Sequence, residues 1–353
     1  MKFYNIDQHV SVIADVAHIF KYLGHQVDDD SLSGHSWVLG KPKPQIMLSD
    51  GTQLTCSGVC TQEVCDKFYE ANKERLSQYD GFISCYPIEF AMLYERFNKP
   101  IIAVNCIRYD HPNTFNPTIR DRLNQFLKQK TTEGKLYYIC NNKGDIWYSK
   151  YFLGITGMHI PSLCEYTNAK YTGTKDKFVI HDRSEISVPE AISLGQLRSS
   201  NWKYTWKDLY SYKGVIHIPY HNGSMSCYEQ YTANIPLFFP SKKYGKELFH
   251  QGKMYSDITF YKIEKKPEPD DLNNPNSLRN PEILDKWYDT CCIYDQENMK
   301  HVQYFDSTEH LRYLLKTVNC QEISNDMAQY NILRRESTYA RWQEILTSIQ
   351  SNK

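Results

Sequence analysis

Two stretches in which short apolar segments alternate with helix-patterned segments, separated by a polar interval at residues 165–177, constrain this chain more than any other feature. In the first stretch the apolar segments are 2–6 (KFYNI), 45–48, 81–86 (GFISCY), 100–107 (PIIAVNCI) and 136–140 (LYYIC). Helix patterns lie between and after them, at 10–23, 65–79, 88–97, 117–130 and 145–153. In 10–23, Val10, Ile13, Ala17 and Phe20 fall on one stripe and Gly24 ends it. Pro117 suits the first turn of its helix, where its missing N–H costs nothing. A strand that returns through a helix runs parallel to its predecessor, so the pattern predicts an α/β fold with a doubly wound parallel sheet over residues 1–168. The interval 165–177 (EYTNAKYTGTKDK) shows no apolar periodicity and reads as a linker. The alternation then restarts with strands at 178–181 (FVIH), 214–219 (GVIHIP) and 236–239 (PLFF), and helices near 189–197 and 226–233. That predicts a second Rossmann-like unit over 175–322. Two such units joined by a linker imply ligand sites at the carboxyl ends of the strands, facing a cleft. Residues 265–281 are rich in Pro, Asn and charge and read as a solvated loop. Residues 323–353 space Met327, Tyr330, Leu333, Trp342, Ile345 and Leu346 as an amphipathic helical segment.

Charge and cysteine usage narrow the function classes. Lys plus Arg is 41 and Asp plus Glu is 41, giving a net charge of zero. A surface built to neutralise phosphates along a nucleic acid is normally basic, so nucleic acid is not the expected partner. The most apolar stretch, 82–94, is interrupted by Pro87 and Glu89 and falls short of the roughly 20 residues a membrane span needs. The 11 cysteines are scattered rather than paired in a framework, which predicts buried free thiols and a soluble, cytoplasmic protein. Cys56, Cys60 and Cys65 are spaced four and five apart with no matching pair downstream, so no metal site is expected there.

Chemistry concentrates in residues 213–241, KGVIHIPYHNGSMSCYEQYTANIPLFFPS, which read as strand, turn, helix and strand. Gly223 lets backbone approach a ligand closely. Ser224 and Ser226 stand at the start of the helix, where N–H groups and the positive dipole end attract phosphate. Glu229 follows, and its carboxylate could accept hydrogen bonds from the two hydroxyls of a ribose. The same spacing, Ser226-x-x-Glu229, also fits a capping box that would satisfy those N–H groups internally.

Taken together, Gly223, Ser226, Glu229 and Pro236 form G-x-x-[ST]-x-x-E-x6-P between two strands. This resembles the nucleotide-sugar motif in the C-terminal domain of GT-B fold glycosyltransferases. The resemblance is sharp over about 30 residues, and the two-domain alternation extends it along the chain; it implies that the helical segment 323–353 crosses back to pack on the first domain. It implies that the loop and helix start hold a donor diphosphate and that Glu229 holds the ribose. It also implies that no cofactor or metal is needed, with a nucleotide-diphosphate sugar as donor substrate. Many retaining members carry a second Glu eight residues earlier. That position is His221 here, so the resemblance favours an inverting outcome and leaves His221 as a donor-side residue. The Arg and Lys that neutralise diphosphate in many members have no clear copy; Arg183 and Lys177 are candidates by position.

In that family the turn after the first strand supplies catalytic or acceptor-binding groups, and here it is Asn5 to Ser11, NIDQHVS. An inverting transfer needs a base for the acceptor hydroxyl proton. His9 is the candidate, with Asp7 as base or as the residue orienting it. Asp7 could equally N-cap the helix. His35, beside Gly34 in SLSGHSW, is a candidate acceptor-binding residue, and His111 a weaker one. Asp28, Asp29 and Asp30 suggest the metal-binding Asp-x-Asp of another glycosyltransferase class. They follow no strongly apolar strand, however, and read as a solvated acidic turn, as do Asp270 and Asp271 in the polar loop. No G-x-G-x-x-G, P-loop or G-x-S-x-G motif is present. The sequence therefore points to a metal-independent glycosyltransferase acting on a hydroxyl acceptor. A nucleotide-sugar 2-epimerase, a non-catalytic nucleotide- or carbohydrate-binding protein and a metal-dependent GT-A enzyme using Asp28 or Asp30 are the competing readings.

Overall fold

The computed structural model describes residues 1–353 except 43, 56–58, 115, 182–185, 199–203, 254–270, 272 and 353. The chain divides into two compact units. The first is Met1–Ser162 with Ser337–Lys353, and the second is Leu163–Glu336.

The first unit contains β1 (Lys2–Asp7), α1 (Val10–Tyr22), β2 (Gln26–Ser31), α2 (Gln62–Leu76), β3 (Gly81–Ser84), β4 (Ile101–Asn105), α3 (Pro117–Thr132), β5 (Leu136–Cys140), α4 (Lys143–Phe152) and β6 (Met158–His159). Its sheet runs β2-β1-β3-β4-β5-β6 with every pairing parallel. β3 (GFIS) and β4 (IIAVN) are buried at every residue, as strands covered by helices on both faces must be. The apolar stripe of α1 buries Val10, Ile13 and Phe20, and Phe20 meets Phe3 of β1 edge-on at 5.2 Å. The Phe20 ring also meets Trp342 of the final helix edge-on, at 5.3 Å.

The second unit contains β7 (Phe178–Ile180), β8 (Ala191–Ser193), α5 (Leu194–Arg198), α6 (Trp206–Leu209), β9 (Val215–Ile216), α7 (Met225–Thr232), β10 (Leu237–Pro240), α8 (Lys242–His250), α9 (Pro281–Thr290), β11 (Gln303–Phe305) and α10 (Thr308–Thr317). The final helix, α11 (Cys320–Ser351), gives residues up to Glu336 to this unit and Ser337 onward to the first. The sheet order is β11-β10-β9-β7-β8, again parallel at every pairing. Both units are thus doubly wound α/β sheets.

Several local expectations are corrected. Gln26–Ser31 is an edge strand and not an acidic turn: its register against β1 pairs Tyr4 with Asp28 and Ile6 with Asp30. The three carboxylates are held separately, Asp28 by Lys2 at 3.0 Å, Asp29 by Lys41 at 2.7 Å and Asp30 by the Tyr4 hydroxyl at 2.5 Å. Charges with local partners make an apolar run unnecessary on an edge strand. Residues 45–48 form no strand, only a bridge between Met47 and Gln53. Ile88–Phe97 is a 3₁₀ helix rather than an α-helix. Seven successive residues of it, Ile88 to Tyr94, are buried, so no single α-helical stripe could serve. Around 189–197 a strand, β8, precedes a short helix. The interval 165–177 is not a free linker, since Tyr171 N–H donates to Ala233 O at 2.9 Å and Thr172 N–H to Tyr210 O at 3.0 Å, both inside the second unit.

Gly214 directly precedes β9, where another strand passes closely. An added Cβ would sit 2.7 Å from Pro236 O and 2.9 Å from Phe238 Cε2. Backbone oxygen cannot rotate away, so Gly214→Ala is expected to lower stability by about 1–3 kcal/mol, read as a fall in Tm by circular dichroism.

Candidate functional sites

In the first sheet the chain leaves β1 for β2 on one side and returns to β3 on the other. This puts the topological switch point between β1 and β3. Asp7 is the last residue of β1 and is fully buried. The Ser31 hydroxyl donates to its Oδ1 at 2.6 Å. Burial pushes its carboxyl up to about 7, with the nearby Asp29 adding to the rise and hydrogen bonds from Ser31, Asn5 and the His9 backbone opposing it. Asp7 does not cap α1. The N-cap is His9, whose carbonyl accepts Val12 N–H at 3.0 Å and whose side chain makes no capping bond. The His9 ring stands edge-on to Tyr86 at 6.3 Å.

Tyr86 follows β3, and Gln8 N–H donates to its carbonyl at 2.6 Å, which clamps the two turns together. The Tyr86 ring stacks on His111 at 5.7 Å, with its hydroxyl 2.7 Å from His111 Nδ1. Burial raises the Tyr86 hydroxyl to about 12, so it remains protonated at neutral pH. His9, Tyr86 and His111 therefore form a row across the carboxyl ends of β1, β3 and β4. The sequence marks His111 only weakly and does not single out Tyr86. The available signal was an aromatic just past an apolar strand and before a proline. His35 is not drawn into this row: it is the exposed N-cap of the 3₁₀ turn Ser36–Leu39, and its backbone N–H donates to Ser33 Oγ at 3.1 Å. The loop that carries it is nonetheless tied to the site, through Leu32 N–H and Asp7 O at 2.7 Å.

The sign of the Asp7 shift gives a pH prediction. A carboxyl whose folded pKa lies above the unfolded value near 3.8 contributes stability that is full below that value and lost as the pH rises through about 7. Asp7→Asn removes the ionisation. It is expected to melt above the parent at pH 8.5 and to lose that advantage by pH 4. Melting curves that stay parallel across this range would contradict the shift.

In the second sheet the switch point lies between β7 and β9. His181, just after β7, faces His217 at 5.6 Å and Tyr220 at 5.8 Å, both just after β9. His217 is buried, stacks on Phe239 at 5.1 Å, and has its Nε2 2.6 Å from Gln230 Oε1. Burial, with His181 alongside, pushes its pKa down to about 3, so the ring is neutral. The turn that follows leads into α7, with Ser224 as N-cap. The Ser224 hydroxyl turns to Tyr220 at 3.0 Å and Ser226 at 2.7 Å rather than to the helix N–H groups. His221 folds its ring over the turn, with Nδ1 2.7 Å from Gly223 O and 3.1 Å from Gly223 N.

The turn is braced from behind by a segment the sequence did not single out. Asn222 Nδ2 donates to Trp287 O at 3.1 Å, and Cys292 N–H to Asn222 O at 2.6 Å.

Glu229 settles the capping-box alternative. Ser226 lies within the helix and is not its N-cap, and the Glu229 carboxylate is engaged elsewhere. It accepts from the Tyr166 hydroxyl and, at 3.1 Å, from Trp206 Nε1. The two rings meet edge-on at 5.7 Å. This aromatic bracket orients the Glu229 carboxylate. Lys177 is directed away, donating to Pro189 O at 2.8 Å. Arg183 lies outside the described residues, as do Cys56 and Asp270. Among the described residues no helix is long and apolar enough to cross a membrane. Nine of the described cysteines are buried free thiols, and Cys320 is partly exposed.

Comparison with protein-family models and with curated proteins finds no match. Among solved structures the chain is similar to the glycotransferase of kitacinnamycin, at 10% identity and TM-score 0.45 over 99% of both chains. It is also similar to the glycosyltransferase SnogD from Streptomyces nogalater, at 9% identity and TM-score 0.44 over 98% of this chain and 99% of that one. A third similarity is to spinosyn rhamnosyltransferase SpnG complexed with thymidine diphosphate, at 8% identity and TM-score 0.41 over 94% and 96%.

Proposed function

We propose that the protein is a glycosyltransferase of the GT-B kind, moving a sugar from a nucleotide-diphosphate donor to a hydroxyl acceptor with inversion and without an essential metal. One observation carries this reading. The motif residues Gly223, Ser226 and Glu229 lie in the turn and helix that follow β9, at the switch point of a parallel sheet, where such sheets receive ligands. The diphosphate would lie against Gly223, Ser224 and Ser226, with His221 beside it. Glu229, oriented by Tyr166 and Trp206, would accept the ribose hydroxyls. Arg183 is assigned to the departing charge by sequence position.

In the first unit His9 would take the acceptor hydroxyl proton as the acceptor oxygen attacks the anomeric carbon and the bond to the diphosphate breaks. Asp7 would balance the imidazolium charge once it ionises, and His35 would contact the acceptor from the adjoining loop. Donor groups at a helix start oppose the charge that develops on the leaving diphosphate.

Thermal unfolding against UDP, GDP, ADP, dTDP and their sugar conjugates, with and without EDTA, tests the donor site. Ligand at 100 times Kd stabilises by about 2.7 kcal/mol, a shift of a few degrees for a chain of this size. The expected result is a shift with one diphosphate, unchanged by EDTA and abolished in Glu229→Ala. If no nucleotide shifts the transition, the donor assignment fails.

A further inference from the structure

Cys60 and Cys65 take no part in the transfer proposed above. Cys60 directly precedes Thr61, the N-cap of α2, and Cys65 is the fourth residue of that helix. These are the two positions whose side chains close on each other in a hydrophobic staple. Here both are thiols, both buried, and hydrogen-bonded to one another.

Arg122 of α3 lies against the pair. Its Nη1 and Nη2 each stand 3.7 Å from Cys65 Sγ. The guanidinium is fixed there by Cys60 O, by Gln62 Oε1 at 2.9 Å and by Glu95 at 3.6 Å. A guanidinium and the first turn of a helix both favour a thiolate. The hydrogen bond from Cys60 holds the Cys65 thiol below its ordinary range, and Arg122 acts in the same direction against burial. Burial pushes Cys60 up. The two sulfurs are therefore unequal, one suited to attack and the other to resolve. Cys85 and Cys140 are simply buried, and burial raises both. The Arg122 side chain is 23% exposed, which gives a small oxidant a way in.

We propose that Cys60 and Cys65 form a reversible dithiol–disulfide site, with Cys65 as the attacking sulfur and hydrogen peroxide as the oxidant. The Cys65 thiolate attacks one peroxide oxygen, the O–O bond breaks, and the departing hydroxide takes a proton to leave as water. Cys65 is then a sulfenic acid. The Cys60 sulfur attacks it, the S–O bond breaks, and the departing hydroxide leaves as water with the Cys60 proton. Two thiols and one peroxide become one disulfide and two waters, and a dithiol reductant reverses the change.

The test uses the intact protein with about one equivalent of hydrogen peroxide near neutral pH, followed by iodoacetamide and a Glu-specific protease. Cleavage after Glu63 separates the two cysteines. Mass spectrometry is expected to find their fragments joined, in the parent and in Cys56→Ser, and released by dithiothreitol. The link should be absent from Cys60→Ser. Cys65 should be consumed before Cys85 and Cys140, and in Arg122→Gln its oxidation should slow about tenfold. A link from Cys65 to any other cysteine overturns the pairing. Oxidation of Cys65 no faster than that of Cys140 overturns the site altogether. Nucleotide binding is not read in this experiment, so its outcome stands apart from that of the donor site.

Discussion

His9→Ala is expected to reduce sugar transfer by about 10²–10⁴-fold while the affinity for the donor nucleotide stays within a few-fold. The argument rests on where His9 sits. It caps α1 through its backbone and not its side chain, so truncating the ring removes no capping bond. Its ring touches Tyr86, which keeps its own partner in His111. The fold should therefore persist, and a Tm close to the parent's is the control. Steady-state kinetics with the nucleotide found in the thermal screen would show the loss in kcat. Unchanged transfer would remove His9 from the mechanism and move attention along the row to His111. Loss of nucleotide affinity together with turnover would mean instead that His9 serves binding.

The largest expected effect on stability is at Trp287. It is among the largest fully buried side chains, packs edge-on to Tyr288 at 5.0 Å, and its carbonyl accepts the side chain of Asn222. Trp287→Ala is expected to cost about 3–5 kcal/mol, measured by chemical denaturation. Trp287→Phe should recover much of this, because the indole N–H is buried with no hydrogen-bond partner among the described residues and its removal relieves a cost. Because Trp287 backs the Asn222 turn, the nucleotide-induced shift should weaken in Trp287→Ala more than in a core variant of the first unit such as Phe82→Ala. Equal weakening in both would mean that the brace does not reach the site.

Legibility followed burial. β3 and β4 were readable as continuous apolar runs because both faces are covered, and α1 because its stripe is regular. The edge strand QVDDDS was not readable, since its stability comes from register against β1 and from side-chain partners distant in sequence. α9 was hidden by the polar residues before it, although Asn280 and Pro281 supply an N-cap and first turn. The helix carrying Glu229 was legible as a motif. Its aromatic bracket was not, because Tyr166 and Trp206 lie 63 and 23 residues away in the chain. Spacing can say that a carboxylate stands at a helix start, but only the fold says what holds it still.

The shared final helix has a consequence for biosynthesis. Tyr339, Trp342, Ile345, Leu346 and Ile349 belong to the core of the first unit, yet every residue of the second unit precedes them in the chain. A ribosome working at about 5–20 residues per second therefore finishes the second unit while Phe20 still lacks its Trp342 cover. For on the order of ten seconds or more the first unit carries an open apolar seam. Chaperone binding during synthesis should concentrate on that seam and end when the last turns emerge.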